Sequence, residues 1–432
     1  AECPVVVAHL DGLWGSVFSF ERERYFFKLP HRLPWRVGVR FSTPIPPNEA
    51  TTHRVREELL QLSADAMAAR KELEQDLAGA LIHGLQTRGS KTRVDQIAPA
   101  RKRLSGRMLL AQALQLAATL RAQLPQDRIA ILLPPSAGAT LLHVAMVLAG
   151  KIPVNLNPTL SKEAFAACLE KAEVTSIITS GPLLARLESL PLPKNCLLLE
   201  DLHQPASLAH LLASYLPARW IRSLYRIEPK SPRSIATLLF TSGSSGTPKG
   251  VPLTHRNLLA NFTQIQETGI FRPNDALLCC LPLFHSFGQS IGLWFPLCHS
   301  HRMVTSPSPM DAAAVSTAIR CGQPTVLMGT PTFLRLWMRK LNRNDCSSLR
   351  LALAGAEKLP QPLATAFEEE TGVPLFEGYG LTETAPAVSF NRPDPLTGYA
   401  AQSRQIGAKP GSVGRLLPGI AARITHPESN RP

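Results

Sequence analysis

The stretch Thr241-Ser242-Gly243-Ser244-Ser245-Gly246-Thr247-Pro248-Lys249-Gly250 has the residue types of an anion-holding loop. Glycines let a backbone approach a ligand closely, and successive N–H groups in such a turn form a nest for anions. Ser242, Ser244, Ser245 and the threonines Thr241 and Thr247 add hydroxyl donors, and Lys249 adds a point charge. Gly243 and Gly246 lack the spacing of a dinucleotide fingerprint, and Pro248 before Lys249 does not fit a Walker A loop. The loop reads as a phosphate holder of another kind.

Four other segments carry residues that would complete such a site. In Gly378-Tyr379-Gly380-Leu381-Thr382-Glu383-Thr384, an aromatic between glycines can lie flat on a purine. Thr382 can donate to a phosphate, and Glu383 offers a hard oxygen ligand for Mg²⁺. Pro282-Leu283-Phe284-His285-Ser286-Phe287-Gly288 places a histidine in a turn. Gly355, Ala356 and Glu357 follow the apolar run Leu351 to Leu353, as in a strand-to-helix turn. Ser412-Val413-Gly414-Arg415-Leu416-Leu417-Pro418-Gly419 reads as a short glycine-bounded strand.

These segments need a frame. The apolar run Ile235 to Phe240 reads as a buried strand feeding the loop. Upstream, helices (Met108 to Ala122, Ala139 to Ala149, Ser161 to Lys171) alternate with strands (Arg128 to Leu133, Ile152 to Leu156, Ser176 to Ile178). The pattern resumes at Thr325 to Met328 and Leu351 to Ala354. Such alternation predicts an α/β fold of mostly parallel sheets with helices on both faces. Residues 203–233 read as a connecting excursion. Thr51 to Leu85 has helical periodicity. Gly89 to Arg107 is polar and basic, and predicts a linker with a boundary near residue 95.

The chain has 432 residues, enough for two or three domains. Its 46 Lys and Arg exceed 32 Asp and Glu, giving +14 and favouring an anionic partner. No helix-turn-helix, zinc or RNA-recognition signature accompanies that charge, so nucleic acid ranks last. The eight cysteines show no C-x-x-C pair and sit mostly among apolar residues, as core thiols of a reducing compartment do. No leader sequence and no apolar run of membrane-spanning length is evident. The opening Ala1-Glu2-Cys3, with strand-like residues close behind it, reads as the start of a fragment.

The five segments, in this order, resemble the motifs of the adenylate-forming superfamily: acyl-CoA synthetases, peptide-synthetase adenylation domains and luciferases. The resemblance implies ATP and Mg²⁺ as cofactors. It implies catalytic roles for Lys249, His285, Thr382 and Glu383, with the metal on Glu383. It places nucleotide on residues 241–247 and 249, on Gly355, Ala356 and Glu357, and on Gly378, Tyr379, Gly380 and Thr382. A carboxylate then attacks the α-phosphorus, pyrophosphate leaves, and a thiol takes the acyl group. The carboxylate is already ionised at neutral pH, so no general base is needed.

Pro4 to Gly15 and Phe41-Ser42-Thr43-Pro44-Ile45-Pro46 resemble the last strands of a glycerolipid acyltransferase. Such a tail, a helix and an adenylating domain follow one another in the bifunctional acyl-[acyl-carrier-protein] synthetase / 2-acylglycerophosphoethanolamine acyltransferase family, which the chain resembles. The expected domains are an acyltransferase remnant (1–50), a helical linker (51–95), the AMP-binding core (96–395) and the start of a third, β subdomain (396–432), without the C-terminal lid. The resemblance implies a fatty acid substrate and acyl carrier protein, or alternatively CoA, as acceptor. It implies a lysophospholipid substrate and an anionic membrane surface for a parent at the cytoplasmic face of a bacterial inner membrane. The basic aromatic stretch Arg22 to Arg36 fits that surface, and Arg101-Lys102-Arg103 would suit an acidic carrier protein. Of the twelve histidines none has Asp five positions later, so the His-x4-Asp pair of an acyltransferase is missing here. Two other readings are a plain long-chain acyl-CoA ligase and a non-catalytic nucleotide-binding fragment.

Overall fold

The structure is a computed structural model and describes residues 3–13, 36–187, 189–241, 248–394, 406–426 and 428. Strands β1 (Ala8–Asp11) and β2 (Gly38–Phe41) form an antiparallel ribbon. Strands β3 (Thr92–Gln96), β4 (Lys102–Ser105), β5 (Arg128–Ile131), β6 (Ile152–Asn155), β7 (Ser176–Thr179) and β8 (Asn195–Leu198) follow. Next come β9 (Ile235–Thr241), β10 (Lys249–Thr254), β11 (Ala276–Cys279), β12 (Arg302–Thr305), β13 (Val326–Gly329) and β14 (Leu351–Ala354). The last three are β15 (Leu375–Gly380), β16 (Ala387–Phe390) and β17 (Arg415–Leu416). A six-stranded sheet has the order β10-β9-β6-β5-β7-β8. A nine-stranded sheet has the order β17-β16-β15-β14-β13-β11-β12-β3-β4.

The central strands pair in parallel and are buried along their whole length in β7, β11, β13 and β14. Parallel sheets are covered on both faces, which is why these runs are apolar without alternation. The two-residue side-chain period then divides each strand between two cores. Leu277 and Cys279 face the main core, which also holds Ile129, Ile131 and Leu239 of the other sheet. Leu278 and Cys280 face a second core under helices Ala312–Gly322, Pro331–Met338 and Gln361–Thr371. A third core, with Ala130, Val154, Ile177 and Phe165, covers the outer face of the six-stranded sheet. Helices Leu77–Gln86, Gly106–Gln123 and Ala137–Leu148 contribute to the main core, sandwiched between the sheets. Each has a local start signal, because the side chains of Asp76, Ser105 and Ser136 accept hydrogen bonds from Gly79, Met108 and Ala139 N–H groups.

Two stretches differ from the sequence expectation. Residues 92–105 are not a linker but the hairpin β3–β4 at the edge of the nine-stranded sheet, where β3 pairs with β12. Its charges misled the reading: Asp95 is buried and bridges Arg101, Arg103 and Arg302. A buried carboxylate needs such partners. Two of the three residues expected to meet a carrier protein are therefore committed to Asp95. The 203–233 excursion contains helices Leu208–Ala213 and Ala218–Leu224, packed on the Gly106–Gln123 and Leu77–Gln86 helices respectively. At the N-terminus, the β1–β2 ribbon rests on helix Thr52–Ala68 through Val7, Ile45 and Leu62, and Arg70 ties Asp11 to Glu267. The basic aromatic stretch lies outside the described residues, apart from Arg36.

Candidate active site

In the nine-stranded sheet β11, β13, β14 and β15 run parallel as neighbours, so their carboxyl ends open on one edge. The chain steps from β11 to β12 on one side, and β13 lies on the other. Ligands of open α/β sheets bind at such a switch point, beyond the carboxyl ends of the strands. Three of the sequence motifs emerge there. The Pro282–Gly288 turn follows β11, Gly355 to Glu357 follow β14, and Leu381 to Thr384 follow β15.

The phosphate-holding loop comes from the other sheet. Strands β9 and β10 are an antiparallel hairpin in which Lys249 pairs with Thr241. This register puts both residues at the base of the connection. Ser242, Gly243, Ser244, Ser245, Gly246 and Thr247 lie outside the described residues. The Lys249 side chain is exposed and makes no hydrogen bond or ion pair among the described residues. Strand β10 also lies against the turn Thr382–Thr384, which brings the base of this loop to the mouth of the nine-stranded sheet.

Side-chain contacts join the turns. The hydroxyls of Ser286 and Thr382 are 3.2 Å apart, though the residues are 96 positions apart in sequence. A Cβ on Gly355 would stand 3.2 Å from the Phe287 ring, so glycine lets that ring close on the turn. Ala356 takes a left-handed φ of 69°. Glu357 is committed elsewhere: its carboxylate accepts from the Thr332 hydroxyl at 2.7 Å and the Thr332 N–H at 3.3 Å. Glu357 thus holds the turn, and the backbone of Gly355 and Ala356 is what remains to face a ligand.

The Gly378–Thr384 segment bends sharply. Gly378 and Gly380 pair with Phe390 and Ala387 of β16. A Cβ at Gly380 would lie 1.9 Å from the Pro386 carbonyl oxygen. That oxygen accepts from the Leu381 N–H at 3.0 Å, which closes the turn. Tyr379 is 45% exposed, a ring available for stacking. Glu383 is exposed and has no hydrogen-bond or ion-pair partner among the described residues. His285 is also exposed, its ring centroid 4.7 Å from that of Phe284. Crowding by surrounding protein lowers its pKa from the ordinary histidine value, which keeps the imidazole neutral at pH 7.

Among the described residues no three His, Cys, Asp or Glu side chains gather as a metal cluster. Glu383, an exposed carboxylate at this mouth, would be a protein ligand for a metal ion. This suits Mg²⁺, which keeps several waters and uses one or two carboxylates beside phosphate oxygens.

Several positioning residues lie outside the sequence motifs. Residues Phe287–Trp294 form a π-helix, a feature frequent at functional sites. From it the buried Gln289 donates to Thr237 of β9 at 2.9 Å, and so links the two sheets. The buried Asn261 of helix His255–Glu267 clamps Ala387 by donating to its carbonyl at 2.7 Å and accepting from its N–H at 3.1 Å. An isolated Asn or Gln in an apolar run signals a buried polar contact, but sequence does not name the partner.

Comparison with known proteins places this arrangement. A model of the AMP-binding enzyme family matches residues 85–432. The acyl-CoA ligase SID4 of Ajellomyces capsulatus is 35% identical over 207 residues, covering 47% of this chain and 34% of that protein. A long-chain-fatty-acid–CoA ligase of Bacillus subtilis is 29% identical over 363 residues, covering 76% of this chain and 62% of that one. The chain thus spans between about a third and three fifths of the length of these relatives. Among solved structures, apo MatB from Rhodopseudomonas palustris aligns with a TM-score of 0.64 at 24% identity, over 83% of this chain and 67% of that one. The N-terminal subdomain of Klebsiella oxytoca NpsA, in complex with 3-hydroxybenzoyl-AMSN, aligns at 0.63 and 18% identity over 80% and 79%. The fold is that of the adenylate-forming enzymes, and this chain belongs to the AMP-binding enzyme family.

Proposed function

We propose that this protein activates a fatty acid with ATP, forming an acyl-adenylate and pyrophosphate. The observation that supports the reading is that the turns bearing His285 and Thr382 meet through the Ser286 and Thr382 hydroxyls, with strand β10, which starts at Lys249, against the second turn. One oxygen of the fatty carboxylate bonds to the α-phosphorus while the bond to pyrophosphate breaks. Two anions must meet, so the task is alignment and charge neutralisation. Lys249 and the N–H groups of the loop it closes supply positive potential at the phosphates. Thr382 donates to the α-phosphate, Tyr379 stacks on the adenine, and neutral His285 stands between phosphate and acyl group. Mg²⁺ held by Glu383 would offset the charge of the phosphates and the departing pyrophosphate.

A thiol then attacks the acyl carbon and AMP leaves. We assign that thiol to acyl carrier protein, on the order of segments at the N-terminus, within a parent that also reacylates a lysophospholipid at an anionic membrane surface on the cytoplasmic side. A second reading has CoA as acceptor, and the names of the relatives from Bacillus subtilis and Ajellomyces capsulatus favour it. The test is fatty-acid-dependent ATP–pyrophosphate exchange across a series of chain lengths, for this chain and for Lys249→Ala and Glu383→Ala. Exchange with a long-chain acid, reduced at least ~100-fold in both variants, supports the assignment. Exchange undiminished in both refutes it. Adding CoA or carrier protein to the competent chain separates the acceptors by which one becomes acylated.

A further inference from the structure

The two helices at 208–213 and 218–224 bury little of their apolar surface. Leu208, Leu212, Tyr215, Trp220 and Leu224 are 71, 60, 61, 56 and 63% exposed. They are not scattered. Leu208 and Leu212 share one face of the first helix, as Trp220 and Leu224 share one face of the second. The rings of His210 and Tyr225, with centroids 5.5 Å apart, join the middle of the first helix to the end of the second. Their inward faces are anchored: Ser214 and Ile221 are fully buried, and Gln86 donates to the carbonyls of Ser214 and Leu216 at 3.0 and 2.7 Å. Five large side chains, each more than half exposed within residues 208–224, exceed the singly scattered surface hydrophobes of an ordinary monomer.

Residues 218–233 carry more exposed cations than exposed acids. Arg219, Arg226, Lys230 and Arg233 are exposed, against Glu228 within the same stretch and Glu200 and Asp201 on the segment before it. The guanidinium of Arg107 sits 3.9 Å above the Tyr215 ring and fixes that ring's orientation. Leucines with Trp and Tyr on one face, flanked by arginines, are the makeup of segments that lie in the interfacial layer of an anionic bilayer. Aromatic side chains with one polar end favour that layer. Among the described residues no helix is long and apolar enough to cross a membrane.

We propose that the Leu208–Leu224 platform docks this protein on an anionic lipid surface. The apolar side chains enter the headgroup boundary, and Arg219 and Arg226 meet the lipid charge. This is separate from the nucleotide site and does not depend on the activity assigned to it.

The test is flotation with vesicles of zwitterionic lipid and of the same lipid with an anionic fraction of about a third, at low and high salt. Comparisons are the double variants Leu212→Glu/Trp220→Glu and Arg219→Gln/Arg226→Gln. Both alter exposed residues, and unchanged thermal unfolding verifies their fold. The expected result is binding to anionic vesicles that weakens with salt and falls at least ~10-fold in either double variant. Absence of binding by the unaltered chain overturns the proposal. So does binding that survives Leu212→Glu/Trp220→Glu, which places the lipid contact elsewhere. Sedimentation of the lipid-free chain provides the last arm. A dimer abolished by Leu212→Glu/Trp220→Glu would assign the platform to a second copy of the chain and also overturn it.

Discussion

Replacing Gly380 by alanine tests whether the turn after β15 is held where the proposed chemistry needs it. An added Cβ would stand 1.9 Å from the carbonyl oxygen of Pro386. Carbon and carbonyl oxygen come no closer than about 3.3 Å in ordinary contact, so a separation of roughly 1.4 Å must be found. Both parties are backbone, and the Pro386 oxygen also receives the Leu381 N–H. The relief therefore moves Leu381 and Thr382, and the 3.2 Å contact between Thr382 and Ser286 opens. Misplacement by ~1 Å can slow a reaction about 100-fold, equivalent to ~2.7 kcal/mol at the transition state. The assay is the initial rate of fatty-acid-dependent ATP–pyrophosphate exchange, with urea unfolding in parallel. Gly380→Ala should lose ~100-fold in rate and about 1–3 kcal/mol in stability. Gly181→Ala is the control, because nothing lies within 4 Å of the Cβ it would add, and it should match the unaltered chain. Exchange by Gly380→Ala within about threefold of the unaltered rate would refute the claim that this turn positions Thr382.

Other predictions concern stability and positioning. His143 is wholly buried between the Ala139 carbonyl and the Asn155 side chain, and burial pushes its pKa from 6.5 down to about 4. The folded chain therefore binds fewer protons than the unfolded one between those values. Its contribution of about 3 kcal/mol is present above pH 6.5 and is lost as pH falls toward 4; His143→Gln should flatten that part of a stability–pH curve, and an unchanged slope would contradict the burial argument. Burial would raise the pKa of Asp76, but hydrogen bonds from Arg222 and from the Lys230 and Gly79 N–H groups outweigh it and leave it lowered. Its stabilisation is thus present above the ordinary carboxylate range and lost as pH falls below it. Asp76→Asn should cost about 3 kcal/mol in urea unfolding at pH 7, and a loss below 1 kcal/mol would show the Arg222 pair to be dispensable. Ser286→Ala removes one hydrogen bond to Thr382 and should slow exchange about fivefold at unchanged stability; no change would make that contact incidental.

What was legible in the sequence follows the range of the forces involved. Apolar runs such as Leu351 to Ala354 became buried parallel strands because burial on both faces leaves no alternation to misread. The helices read over Met108 to Ala122, Ala139 to Ala149 and Ser161 to Lys171 are present, each starting at a serine cap, Ser105, Ser136 or Ser161, that the apolar spacing alone did not mark. The β3–β4 hairpin was not, since Arg101, Lys102 and Arg103 look like a solvated linker until Asp95 is seen buried between two of them and Arg302. The 208–224 helices were missed for the opposite reason: their leucines face outward, so no amphipathic burial pattern marked them. In the site, glycines 355, 378 and 380 were visible as types, but the reasons for them lie in Phe287, Phe390 and Pro386. Phe287 and Gly355 are far apart in the chain. Only the parallel order β11-β13-β14-β15 brings such turns together, and no local pattern encodes that order.

The central claim is that the fatty carboxylate attacks the α-phosphorus. It is tested most directly with a fatty acid carrying ¹⁸O in both carboxylate oxygens, incubated with this chain, ATP and Mg²⁺, with hydroxylamine to cleave the product at its acyl carbon. The account predicts one ¹⁸O in the AMP released and unlabelled pyrophosphate. Label in inorganic phosphate with ADP as co-product, or AMP formed without label, would contradict it.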